Sequence, residues 1–281
     1  MSTRRINKKT VLNFLWFLIS KTKRYFIPTN IKRWIREQLN AETSITFDGW
    51  GMRTVHALPW KVVLGNESFI RANQDVKEHF EFSGDGGVNS SEVDNLLWRH
   101  WIVSYCVRHA VKFTDDDLDM VECGVCDGIS AFFALRELRG LGSHVKMHLY
   151  DAWAPMRKEY LLESEQKSTG RYSNILLQRT KKNLSEFDNV VYHPGYIPGS
   201  LHMEPPSPKK ISYISIDLNS AMPTVAALEY FFPMLARGGI VLFDDYGWIG
   251  YGPTKKVVDK FFADKPGILM PLPTGQSIYY R

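Results

Sequence analysis

The sequence predicts an α/β protein built on a mostly parallel sheet with helices on both faces. Three observations predict it. From about residue 119 onward, short apolar runs of strand length alternate with helical stretches. Several of those runs close on aspartate, at Asp151, at Asp217 and at Asp244–Asp245. The chain has 281 residues, of which 44% are hydrophobic and 23% charged, which suits one large domain with a substantial core. That composition excludes collagen, coiled coil, bulk disorder and a disulfide-rich secreted scaffold. Cys106, Cys123 and Cys126 are too few to staple a fold of this size, so a reduced, intracellular chain is expected.

Taken in order, the first element is a basic, amphipathic arm over residues 1–40. It holds ten Lys and Arg against one acidic residue, Glu37. Its apolar run, Val11–Ile19, is shorter than the roughly 20 residues a membrane-spanning helix needs. No small-residue cleavage site marks it as a signal peptide. Two readings stay open. Residues 1–30 lie on a membrane surface, with Trp16 in the interface and the cations against anionic lipid, or they pack on the body or across a dimer interface. The basic segment Ile31–Arg36 continues either one. The rest of the chain carries 25 basic and 29 acidic residues, so the net charge of +5 belongs to the arm. A body without a positive excess is not expected to bind nucleic acid. A cytoplasmic protein is expected, peripheral at the inner membrane face if the arm meets lipid.

Residues 41–118 read as a helical and irregular lid and cover region, Gly-rich at 49–51 and 84–87. Within it, Ser91 can cap a helix that has Glu92 and Asp94 in its first turn and Leu96, Leu97, Trp98, Trp101 and Ile102 behind. Residues 119–281 form the core. Strands are predicted at 119–123, 145–150, 189–193, 211–216 and 240–243, and a hairpin pairs 267–270 with 277–280. Helices are predicted at 128–138, 172–187, 223–235 and 253–262. Pro223 and Pro253 open the last two, and Gly238–Gly239 terminates the third.

Ligands of such sheets bind beyond the C-terminal ends of the strands, where the aspartates fall. Glu122–Ser130 follows a strand, contains Gly124 and Gly128, and opens a helix. It has the form of a nucleotide-cofactor loop without the GxGxxG spacing of dinucleotide folds, which argues against an oxidoreductase. Asp151, at the end of the next strand, can accept ribose hydroxyls. Asp217, Asp244 and Asp245 would repel one another unless a cation or proton sits among them. All-oxygen ligation suits Mg²⁺ or Mn²⁺. Cys123 and Cys126 have C-x-x-C spacing but no second pair to complete a zinc site; they read as small residues filling the loop, with redox chemistry as the alternative. His193, His56 and His202 are spectators unless one faces the pocket as a base. Trp50, Trp60, Trp153 and Trp248 suit either a sugar face or a core.

The words Glu122-Cys-Gly-Val-x-x-Gly, Tyr150-Asp-Ala-Trp153, His193-Pro-Gly-Tyr196, Ile214-Ser-Ile-Asp-Leu-Asn219, Pro223-Thr224 and Phe243-Asp-Asp-Tyr-Gly247, in that order, resemble the TylF/MycF-like (macrocin) O-methyltransferases. The resemblance runs from about residue 119 onward. The first 40 residues show none, and Thr46-Phe47 echoes the family's Thr-Met lid poorly. It implies a Rossmann-like class I methyltransferase fold, a seven-stranded sheet with a C-terminal antiparallel strand, and methyl transfer from S-adenosylmethionine to a sugar hydroxyl. It further implies that Glu122, Gly124, Val125, Gly128, Ser130, Asp151, Ala152, Trp153, Gly195, Tyr196 and Asp217 bind that cofactor. By the same resemblance Asp217, Asp244 and Asp245 hold Mg²⁺ (or Mn²⁺) against two adjacent oxygens of a small-molecule or glycan substrate, and the chain forms a homo-oligomer.

One departure matters. Asn219 stands where the family has the Asp proposed as base, and Ala221 where a Tyr often follows. An amide cannot take a proton. The metal alone then acidifies the hydroxyl, or His193 or another pocket residue is the base, or the substrate is more acidic, or catalysis has been lost. In the last case the chain is a non-catalytic binding or partner protein on the same fold. The catalytic set expected here is Asp217, Asn219 and His193.

Overall fold

The computed structural model describes residues 66–85, 89–90, 92–114 and 118–281. The arm with its membrane reading, Thr46, Phe47, Trp50, His56, Trp60 and the proposed cap Ser91 lie outside them.

Seven strands form one sheet in the order β3-β2-β1-β4-β5-β7-β6. They are β1 (Asp119–Cys123), β2 (Met147–Asp151), β3 (Val190–Pro194), β4 (Ile211–Ile216), β5 (Leu235–Phe243), β6 (Ile268–Pro271) and β7 (Ser277–Tyr280). The first five pair in parallel. β7 runs antiparallel between β5 and β6. This is the seven-stranded class I methyltransferase arrangement expected from the resemblance. β2 and β4 are buried at every position, as strands covered on both faces must be. The strand order reverses between β1 and β4, and a crevice opens there.

Among the described residues six α-helices flank the sheet: α1 (Glu67–His79), α2 (Leu97–Phe113), α3 (Ile129–Gly140), α4 (Leu177–Asn183), α5 (Ala221–Phe231) and α6 (Gly252–Phe262). α1 and α2 pack with α3 through Phe69, whose ring lies 5.1 Å from both Trp101 and Phe133. An Arg108–Glu137 ion pair ties α2 to α3. Beside β5, α5 and α6 share a core of Leu228, Phe231, Phe232, Val258 and Phe262. Among the described residues no helix is long and apolar enough to cross a membrane.

Several element boundaries differ from expectation, among them the start of β5, at Leu235 rather than 240. The helix predicted from 172 is only Leu177–Asn183, because Tyr172 takes a left-handed φ of 61° and the chain before it runs through short 3₁₀ turns. The helix predicted from Pro223 starts at Ala221 and stops at Phe231. Gly238–Gly239 therefore lies inside β5 rather than ending a helix. A Cβ on Gly238 would stand 2.3 Å from the Phe113 carbonyl oxygen, so β5 needs glycine to pass the end of α2. The segment opening with Glu92 is a 3₁₀ turn over Val93–Leu96, and regular α-helix begins at Leu97.

Candidate functional site

Two cavities flank the point where strand order reverses, and they share a dividing wall of Gly124, Cys126, Tyr172, Asp217 and Asn219. One, on the β2–β3 side, is walled by Tyr150, Tyr160, Leu161, Ile175, Tyr196 and Ile197, with Asp151 among them. The other, on the β4–β5 side, carries Arg99, His100, Asp127, Ser130, Arg171, Asp244, Asp245, Trp248 and Tyr251. The first is mainly aromatic and aliphatic; the second is dense in charge.

The loop between β1 and α3 sits under both. Gly124 has φ 87°, and a Cβ there would lie 1.8 Å from the Asp217 carbonyl oxygen. Its freedom serves close approach of the β1 and β4 ends rather than a ligand. Gly128, also at positive φ, meets Thr180 and Leu184 of the α4 region instead. Asp151 clamps the loop from β2. Its Oδ2 accepts the N–H groups of Val125 at 2.7 Å and Cys126 at 2.9 Å, and its Oδ1 accepts that of Trp153 at 2.7 Å. With about four acceptor positions on a carboxylate, Oδ1 retains room for one further donor, so one ribose hydroxyl fits where the sequence suggested two.

Glu122 and Ser130 brace the same loop. Ser130 Oγ donates to Glu122 Oε1 at 2.6 Å, while Oε2 is buried without a partner. Burial pushes the Glu122 carboxyl up to about 8, so it is largely protonated at neutral pH. Val125 and Ser130 reach the charged cavity, whereas Ala152, Gly195 and Tyr196 line the aromatic one. Trp153 lines neither. Its indole N–H donates to Thr180 Oγ1 at 2.8 Å and its body packs behind the loop, which makes it a support.

The three carboxylates converge as expected: one oxygen each of Asp217, Asp244 and Asp245 lies within 4.8 Å of the others. Burial and mutual repulsion push the Asp217 and Asp245 carboxyls up. Such a set of hard oxygen donors, short of positive charge, fits Mg²⁺ or Mn²⁺. Arg99, from the first turn of α2, supplies part of the missing charge. Its Nε donates to Asp244 Oδ1 at 2.8 Å, and its Nη2 donates to Asp244 Oδ2 and, at 3.2 Å, to Asp217 Oδ2. Burial works against this guanidinium's charge, but the Asp244 and Asp217 carboxylates outweigh it and raise its pKa.

Asn219 is the hub of the dividing wall. It adopts φ 57°, a left-handed backbone that asparagine tolerates well. Its Nδ2 donates to Asp217 Oδ1 at 2.9 Å, and its Oδ1 accepts the hydroxyls of Tyr251 at 2.8 Å and Tyr172 at 2.9 Å. Its backbone N–H donates to Asp245 Oδ2 at 2.7 Å. It orients these groups and has no atom that takes a proton.

His193 is placed elsewhere. It is buried in the sheet, stacked on Tyr150 at 4.0 Å between ring centres, with Nε2 2.9 Å from His148 Nδ1. It lines neither cavity. Burial and the neighbouring His148 push it down to about 4. Exposed His202 packs on Tyr230 and also lines neither. The Cys123 and Cys126 thiols are pushed up by burial and stay protonated, which fits the filler reading.

Sequence reasoning missed Arg99, His100, Tyr172 and Tyr251. His100 lines the charged cavity, is buried with Nδ1 unpartnered, and stacks on Phe133 at 4.5 Å. Burial pushes it down to about 3, so it is neutral. A signal was present: Arg99-His100 interrupts the otherwise apolar stretch Leu96–Val103.

Residues 121–246 match the family model of a methyltransferase domain. Among solved structures, the chain is similar to the O-methyltransferase NovP, at 20% identity and TM-score 0.58, over 66% of this chain and 80% of that one. It is also similar to CalS11, a calicheamicin methyltransferase, at 18% identity and TM-score 0.52, over 83% of this chain and 97% of that one. At these identities the likeness is one of fold. No curated protein matches the chain.

Proposed function

We propose that the chain is an S-adenosylmethionine-dependent O-methyltransferase of TylF/MycF-like type, acting on a small molecule or glycan that presents two adjacent oxygens to a divalent cation. The observation that carries this reading is the meeting of an aromatic slot and a carboxylate-rich cavity at one wall. The slot suits a nucleoside: flat apolar walls, the Asp151 carboxylate with room for one hydroxyl, and the Gly124 turn at its floor. The carboxylate cavity suits a cation and the oxygens it would hold.

In this reading Asp217, Asp244 and Asp245 would hold Mg²⁺ or Mn²⁺, and Glu122, Gly124, Val125, Gly128, Ser130, Asp151, Ala152, Gly195, Tyr196 and Asp217 would hold or brace the cofactor. The cofactor supplies an electrophilic methyl group and the cation makes a bound hydroxyl more acidic. The protein's own share is alignment. Asn219 fixes the Asp217 carboxylate and both tyrosines, so that donor and acceptor approach across a wall with little freedom. Asn219 cannot take the proton and His193 lies off the site, so a cation held by Asp217, Asp244 and Asp245 would supply acidity that neither of those side chains provides. Neutral His100 is the one imidazole lining the charged cavity among the described residues.

Calorimetric titration with S-adenosylhomocysteine, with and without Mg²⁺, tests the reading. Micromolar binding is expected. No binding in either condition favours a partner or scaffold protein on this fold.

A further inference from the structure

We propose that Arg99 is the resident counter-cation of the acidic triad, and that a divalent ion loads the site by exchanging with it rather than by joining it. The inference rests on the metal reading above. Nη2 of Arg99 stands between Asp244 and Asp217, donating to the Oδ2 atoms of both. A small divalent ion takes carboxylate oxygens at about 2 Å, so an ion bridging these two residues would contact the oxygens the guanidinium now holds. Two like charges would then lie within a few ångströms of each other. Exchange avoids that repulsion.

The charge balance favours the exchange. One guanidinium brings a single positive charge and touches two of the three carboxylates. Asp245 accepts the Asn219 backbone N–H but has no ion pair with Arg99. A divalent ion reaches all three and brings twice the charge.

The surrounding donors stay in place when Arg99 leaves. Gln276 Nε2 donates to Asp244 Oδ1 at 3.2 Å, and Asn219 Nδ2 donates to Asp217 Oδ1 at 2.9 Å, so both carboxylates remain oriented. Arg99 itself lines the charged cavity with its side chain 26% exposed, so the freed guanidinium can turn into that cavity. Loading then also removes the ion pairs through which Arg99 ties the first turn of α2 to the residues that follow β4 and β5.

The test titrates the full-length protein with Mn²⁺, following free ion by electron paramagnetic resonance, for wild type, Arg99→Met and Arg99→Lys. S-Adenosylhomocysteine affinity is measured in parallel. Arg99→Met is expected to bind Mn²⁺ at least about tenfold more tightly than wild type, with Arg99→Lys between them. Mn²⁺ binding no tighter in Arg99→Met than in wild type overturns the exchange and leaves the metal reading standing. Failure of every form to bind Mn²⁺ while all bind S-adenosylhomocysteine overturns the metal reading, and the exchange with it. Should Arg99→Met not fold, the wild type decides. The Arg99 Nε–H resonance, assigned by its absence in Arg99→Lys, is expected to shift or broaden at saturating Mg²⁺. An unchanged resonance overturns the proposal.

Discussion

The two cavities on either side of Asp217 and Asn219 are built from opposite materials. On the β2–β3 side the walls are rings and aliphatic chains, and the polar atoms are mostly engaged within the protein, as Asp151 is with three backbone N–H groups. On the β4–β5 side the walls carry charges that the protein alone does not balance. The difference teaches that shape does the selecting on one side and charge on the other. Ligands of the first should bind with little dependence on salt or metal, and those of the second should depend on both.

The comparison breaks most decisively at the floor the cavities share. Gly124→Ala puts a Cβ into the Asp217 carbonyl at a positive φ. It is expected to cost about 3 kcal/mol of stability and to abolish binding on both sides, read by urea unfolding and calorimetry. An unchanged unfolding midpoint would show that the β1 and β4 ends part without penalty. Next in size, Asp244→Asn should weaken Mn²⁺ more than the roughly 10–100-fold typical of losing an outer metal partner. The same variant should leave S-adenosylhomocysteine affinity within about threefold. Equal loss of both ligands would mean that the cavities act as one site.

Asn219→Asp sharpens the comparison at the wall. A carboxylate there adds negative charge 2.9 Å from Asp217 while still accepting from Tyr172 and Tyr251. Mn²⁺ should bind up to about tenfold more tightly, with metal-free stability lower. Tighter Mn²⁺ without metal-free destabilisation would show that the site tolerates a fourth carboxylate unaided.

The smallest expected effect is on pH dependence, where the buried histidines and the buried glutamate pull in opposite directions. His193 and His100 are pushed down to about 4 and about 3 from an ordinary 6.5, so the unfolded chain takes up their protons first. Their contribution is complete above about 6.5 and is lost as pH falls toward 4. Glu122 is pushed up to about 8 from an ordinary 4.5, so its contribution is complete below 4.5 and is lost as pH rises through 8. From these three groups the urea midpoint should rise with pH to a maximum near 6.5, because two histidines outweigh one carboxyl below it, and should fall from there toward pH 8. Glu122→Gln should flatten the upper limb and His193→Phe should soften the lower. A lower limb unchanged in His193→Phe would remove that histidine from the account.

Much of this was legible in the chain itself. β4 reads as Ile-Ser-Tyr-Ile-Ser-Ile closed by Asp217, and β5 as apolar residues closed by Asp244 and Asp245, so both the sheet and its acidic rim follow from local pattern. Gly124 and Gly128 marked the loop, although the φ values they supply serve packing of chain on chain. What stayed hidden depends on which elements meet. Arg99 lies 145 residues before Asp244, and no local pattern brings the two together. His193 had the right chemistry, but its strand buries it against Tyr150 and His148. Tyr172 sat in a polar stretch that looked helical, and the partner of its hydroxyl, Asn219, comes from another element.

The position of β7 between β5 and β6 has a consequence for how the molecule holds together over time. Gln276, at the entry to β7, reaches Asp244, while Arg99 reaches the same carboxylate from the opposite direction along the chain. The acidic rim is thus a seam closed by long-range contacts, the kind that form late in folding because long loops must close first. On the proposed metal reading, an ion bound only by the folded chain would draw the folding equilibrium toward it, so its concentration would act on the sheet as well as on the site.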